Sequence, residues 1–157
     1  MQADDDKRGP GLRFPPPLLP LGLIFAAWLL QQWVPLAISG DAQLRWPGIL
    51  LVAMAVLLAV IALMHFRRAK TAIEPWHPTT TIIQYGIYRY SRNPIYLAFC
   101  IATIGAALII NSWWGLIAVA PLVYLLQLLV IRKEETYLEA RFADTYLDYK
   151  RRVRRWL

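Results

Sequence analysis

The sequence predicts an all-α integral membrane protein with four transmembrane helices, the last two forming a hairpin, and a C-terminal amphipathic cytoplasmic helix. Three observations carry this. Four long apolar runs are separated by short polar stretches. Hydrophobic residues make up 58% of the 157, with seven Trp, eight Tyr and five Phe, more apolar surface than a soluble chain of this length could cover. Every Lys and Arg except Arg45 falls into segments that alternate topology assigns to one side of a membrane.

The length suits one domain, 1–157. The acidic start, Asp4-Asp5-Asp6, followed by Lys7-Arg8, lacks the pattern of a cleaved leader, so the first span is expected to remain. That span covers about 18–38. Pro15-Pro16-Pro17 delivers the chain to its start, and Gln31, Gln32 and Pro35 stand near its far end. The second covers about 46–65; Trp46 is placed as an interfacial anchor, and Gly48 to Met64 holds no charge. A polar loop, 66–93, follows. The third span, 94–110, would be about 25 Å long at the helical rise. Asn111-Ser112, both good helix N-caps, reads as a tight turn into the fourth, 113–131.

In the tail, 132–157, Leu138, Phe142 and Tyr146 recur at four-residue steps, and Tyr149, Val153 and Trp156 continue the stripe. Lys150, Arg151, Arg152, Arg154 and Arg155 would meet anionic headgroups. The net charge of +7 is therefore read as a topology and lipid signal, with membrane lipids as partners and no nucleic acid. With both ends and the large loop on the basic side, the termini are expected in the cytoplasm.

His65 and His77 stand apart and Cys100 is the single cysteine, so no metal site and no internal disulfide are expected; Cys100 reads as a small core residue. No glycine-rich nucleotide loop occurs. Two short constellations remain. Asn93-Pro94 marks a helix start at the membrane boundary, with Arg89 and Arg92 beside it: an anion site for a carboxylate or phosphate, or a contact to lipid phosphates. Glu134-Glu135, at the exit of the last span, calls for a cationic partner: an ammonium or sulfonium ligand, or Arg132, Lys133 or Arg141. Together they match the charges of a zwitterionic amino-acid group.

At these residues the chain resembles the isoprenylcysteine carboxyl methyltransferase and phospholipid methyltransferase superfamily. The likeness rests on Gly86-Ile87-Tyr88, Arg92-Asn93-Pro94-Ile95-Tyr96, Glu134-Glu135-Thr136-Tyr137-Leu138, and Phe142-Ala143-Asp144-Thr145-Tyr146 with Tyr149, and covers most of the chain from Thr71 onward. The termini look like those of bacterial members, which implies a bacterial inner membrane. The resemblance implies S-adenosylmethionine as cofactor. Arg92, Asn93 and Tyr96 would hold its amino-acid end, Tyr88 would pack on it, Glu134 and Glu135 would bind its ammonium or ribose hydroxyls, and Gly86 and Pro94 complete the motif. The methyl acceptor would be a small or lipophilic carboxylate, thiol or amine. For direct chemistry the sequence offers only His77, Glu74 and Arg92 as candidates. Alanine at 143, where relatives carry glycine, predicts a helix running straighter at that point.

Other classes remain open. A small transporter or assembly factor would use these charges for topology, but no Asp, Glu, Lys or Arg lies inside the four runs, against the habit of transporters. A nicotinamide-dependent reductase of related architecture would need a longer chain.

Overall fold

In the computed structural model, residues 9–12, 14–40, 42–71 and 77–157 are described. Glu74, Lys7 and Arg8 lie outside them. The regular structure among the described residues is helical, with no strand. The order is α1 (Leu18–Trp33), a 3-10 turn (Ala42–Leu44), α2 (Arg45–Arg68), a second 3-10 turn (Gly86–Arg89), α3 (Pro94–Ile109), α4 (Trp113–Ile117), α5 (Val119–Leu125), a π segment (Leu126–Ile131) and α6 (Arg132–Arg152).

Two helical stretches, Arg45–Arg68 and the continuous run Trp113–Arg152, are long and apolar enough to cross a membrane. On α2 the exposed side chains include Leu50, Val56 and Leu57, each about three-fifths exposed. Such an apolar surface suits lipid better than water.

Local chemistry explains most boundaries. Helix α1 stops at Trp33, short of the expected 38, because Pro35 pushes the residue before it out of helical geometry; Val34 sits at φ −132° and ψ 83°, outside the helical region. Helix α3 begins at Pro94, where proline's missing N–H costs nothing. The fourth apolar run is not one uniform helix. Pro121 cannot donate to the Ile117 carbonyl, and the helix is interrupted at Ala118. Beyond α5 the backbone loosens into the π segment and continues into α6 with helical angles at Ile131, so the tail begins as a prolongation of that run.

Contacts divide the chain into two compact units, Met1–Pro15 with Ala59–Ile95 and Gln127–Leu157, and Pro16–Leu58 with Tyr96–Leu126. In the second unit α1 packs on α4 and α5, with Ala27 and Leu122 buried. Glycines set its tightest approach: a Cβ on Gly105 would lie 2.7 Å from the Gly48 carbonyl oxygen, so the backbones of α2 and α3 touch there. Asn111 and Ser112 do make the expected turn, but not as helix caps. Asn111 sits at φ 50°; its Oδ1 accepts from the N–H groups of Ile38 and Ser39, and its Nδ2 donates to Ser39 O. Ser112 Oγ donates to Gln31 Oε1 rather than capping α4. Cys100 is buried on α3, as expected of a core residue.

The first unit carries the polar chemistry. Its apolar centre is Ala62, Ile83 and Tyr88, with Phe66, Ala69, Ile87 and Ile95 packed around it.

Candidate active site

Within the first unit the loop and α6 are tied together. Tyr137 Oη accepts from Thr79 N–H, and Arg141 Nε donates to Thr79 O at 2.7 Å. Further along, Tyr149 Oη donates to Tyr88 O at 2.7 Å. These contacts hold residues 77–93 against the inner face of α6, where Glu135, Tyr146 and Tyr149 are buried.

The two motif segments meet through charge. Arg92 Nη1 lies 2.9 Å from Glu135 Oε1, and both side chains are only 8% exposed. Arg155 approaches the same carboxylate with both prongs, Nε to Oε1 at 3.0 Å and Nη2 to Oε2 at 2.6 Å. Glu135 therefore takes its cations from Arg92 and Arg155, neither of which figured among the partners considered from sequence. Two guanidinium charges against one carboxylate leave this trio a single positive charge, a setting that favours an anionic ligand group. Glu134, half-buried on the same turn, contributes negative potential at Tyr88.

Two buried polar atoms in this cluster, Tyr88 Oη and Arg92 Nε, have no hydrogen-bond partner. Leaving buried donors unpaired costs about 1–3 kcal/mol each. Both can donate, and a ligand carboxylate would accept from them. Burial, reinforced by Tyr149 and Glu134, holds the Tyr88 phenol well above its ordinary range. Burial likewise raises Tyr149, and it pushes Tyr146 up to about 12, with Glu135 adding to the effect. The three phenols are thus neutral donors and acceptors near neutral pH rather than bases.

The other expected site residues are placed as follows. Asn93 is buried; its Nδ2 donates to Arg155 O at 2.9 Å and its N–H to Ser91 Oγ. Pro94 opens α3. Gly86 has φ +62°, and a Cβ there would fall 1.9 Å from His65 Nε2. His65 Nδ1 is 2.7 Å from Ile61 O, and its ring lies tilted against that of Tyr85 and edge-on to that of Tyr88. His77 is exposed. Tyr96 belongs to the second unit, half-buried, its ring 5.9 Å from that of Phe99.

Sequence reasoning missed Arg155 and His65. Of the tail's basic residues, Lys150 pairs with Glu139, Arg151 with Asp148, Arg152 reaches Gln84, and Arg155 is committed to Glu135. The expectation of a straighter helix at Ala143 is overturned. The residue lies at φ 41° and ψ −121°, and α6 breaks there. The break re-aims the last turns so that Tyr149 reaches Tyr88, and closure of the tail onto the loop outweighs a backbone strain of about 1–3 kcal/mol. Because Ala143 is exposed, Ala143→Gly should relieve strain without losing packing. Thermal melts of the two proteins should show a gain of about 1 kcal/mol, or roughly 2–4 °C.

Residues 44–145 match the family model for phospholipid methyltransferases. The chain belongs to that family. It thereby falls within the isoprenylcysteine carboxyl methyltransferase-like superfamily. The phospholipid methyltransferase match takes in Gly86, Tyr88, Arg92, Glu134 and Glu135 but stops short of Arg155. A 46-residue stretch is 46% identical to an uncharacterized protein of Haemophilus influenzae, covering 29% of this chain and 68% of that relative. No solved structure matches the chain. Membership in the phospholipid methyltransferase family supports a membrane methyltransferase.

Proposed function

We propose that the protein is an integral membrane methyltransferase that uses S-adenosylmethionine, with four spans and both termini in the cytoplasm of a bacterium. Its acceptor is a lipophilic or small carboxylate, thiol or amine. The observation that carries the reading is the pair of unpartnered buried donors, Tyr88 Oη and Arg92 Nε, beside the Arg92–Glu135–Arg155 cluster. The donor set fits the amino-acid end of the cofactor: Arg92 and Tyr88 donate to its carboxylate, Asn93 shapes the wall beside them, and Glu134 offers a carboxylate to its ammonium or ribose hydroxyls. Tyr96, in the first turn of α3, belongs to the same motif.

When bound, S-adenosylmethionine supplies a methyl group already activated by sulfonium charge. The protein's part is then positioning and exclusion of water. Glu135 fixes the Arg92 guanidinium so that Nε is presented rather than solvated, and the buried tyrosines keep the surroundings dry. For amine or thiol acceptors a proton must also leave, and among the described residues His77 is the candidate to take it.

Titration calorimetry on the detergent-purified protein tests the reading. S-adenosylmethionine and S-adenosylhomocysteine should both bind, and Arg92→Gln should weaken both by about tenfold or more, as loss of a charge-assisted hydrogen bond implies. Heat from a reduced nicotinamide dinucleotide, with none from either adenosyl ligand, would replace the methyltransferase by a reductase.

A further inference from the structure

The last five residues, 153–157, follow the end of α6 and turn back along the segment that carries Arg92. The helix closes at Val153, whose N–H still donates to Tyr149 O while its own backbone is extended at φ −121° and ψ 131°. From there the chain makes contacts that no solvated tail requires. Arg154 O accepts from Arg92 N–H at 3.0 Å. Arg155 O accepts from Asn93 Nδ2 at 2.9 Å and from Ser91 Oγ at 3.5 Å. The Arg155 side chain, about one-third exposed, turns inward to grip both oxygens of Glu135. Backbone and side chain of two consecutive residues thus engage the Ser91–Asn93 segment and the α6 carboxylate at once.

We propose that residues 153–157 form a clasp that completes the methyl-donor site, with Arg155 as a positioning residue that fixes Glu135 and, through it, Arg92. The proposal rests on the cofactor reading given above. Its physical basis is the shared carboxylate. Arg92 reaches Glu135 through a single nitrogen, Nη1, which also lies 3.4 Å from Tyr146 Oη. A one-point contact leaves a guanidinium free to swing, whereas the two-point Arg155 pair locks the carboxylate plane against which Arg92 rests. With the plane fixed, Arg92 Nε keeps its buried orientation. Without Arg155, the carboxylate can rotate toward Arg92 and pair with it through both oxygens, drawing Nε into the ion pair and away from a ligand.

Equilibrium binding of S-adenosylmethionine to the full-length protein in detergent tests the clasp, with a thermal melt of each ligand-free variant alongside. Arg155→Ala should weaken binding at least tenfold. Arg155→Lys, which restores charge but only one contact point, should recover part of the loss. Arg151→Ala, a tail arginine on the exposed face, should bind as wild type does. Because Arg155 acts through Glu135, the Arg155→Ala effect should largely vanish in a Glu135→Gln background. If Arg155→Ala does not fold, Arg155→Lys against Arg155→Gln decides, with Lys expected to bind the tighter. Equal binding by wild type and Arg155→Ala, or the same loss in both backgrounds, would overturn the clasp while leaving the cofactor reading intact. Absence of binding by wild type would remove the cofactor reading and the clasp together.

Discussion

Alanine at position 135 should cost about 3–5 kcal/mol of folding stability, the largest effect expected of any single polar substitution in this protein. The reason is the asymmetry of breaking a buried ion pair. Glu135 is the carboxylate shared by Arg92 and Arg155, and its removal leaves the Arg92 guanidinium buried beside another positive charge. Glu135→Gln should cost less, since an amide oxygen still accepts a hydrogen bond, but it too leaves charge uncompensated. The contrast is Glu139, whose pair with Lys150 is about one-third exposed at both ends. Glu139→Ala should cost less than about 1 kcal/mol because solvent already screens that pair. Denaturation of the three variants in the same detergent checks the ranking, and near-equal costs at 135 and 139 would contradict the burial argument.

Gly86→Ala is the second large effect, about 2–4 kcal/mol from two sources that add. At φ +62° an alanine methyl crowds the following carbonyl, and the new Cβ would overlap His65 Nε2 at 1.9 Å. His65 cannot swing away cheaply, since Nδ1 is engaged at Ile61 O and the ring is packed against Tyr85 and Tyr88. The steric share should be recovered in the double variant His65→Ala/Gly86→Ala, which should be more stable than Gly86→Ala alone. If the double variant is no better, the glycine is required for its backbone angle only. Either way, this motif glycine has a structural reason of its own, independent of ligand approach.

What the sequence made legible follows from how local each signal is. The start of α3 was readable because Asn-Pro encodes a helix start in two adjacent residues. The early end of α1 was readable in principle from Pro35 but was obscured by the apolar run continuing past it. Ala143 shows the reverse case: nothing local asks alanine to leave helical geometry, and only the long-range closure of the tail forces it. Pro121 and the π segment break the fourth run without disturbing its hydropathy, so the run read as one smooth span.

The site divides the same way. Arg92, Asn93 and Glu135 announced themselves by their position at the ends of apolar runs. Arg155 did not, because it is one of several basic residues crowded at the end of the tail, and periodicity cannot say which one turns inward. His65 read as an isolated histidine without ligand partners. Its meaning depends on a missing Cβ in a segment some twenty residues away, for which the sequence gives no signal.

On the proposed reading, Tyr88 Oη and Arg92 Nε are donors kept for the cofactor's carboxylate. Crystals grown from lipid with S-adenosylhomocysteine test it most directly. The ligand carboxylate should accept from both atoms while Glu135 remains bridged to Arg92 and Arg155. A ligand bound away from residues 88–93 and 134–135, with those two donors still unpaired, would contradict it.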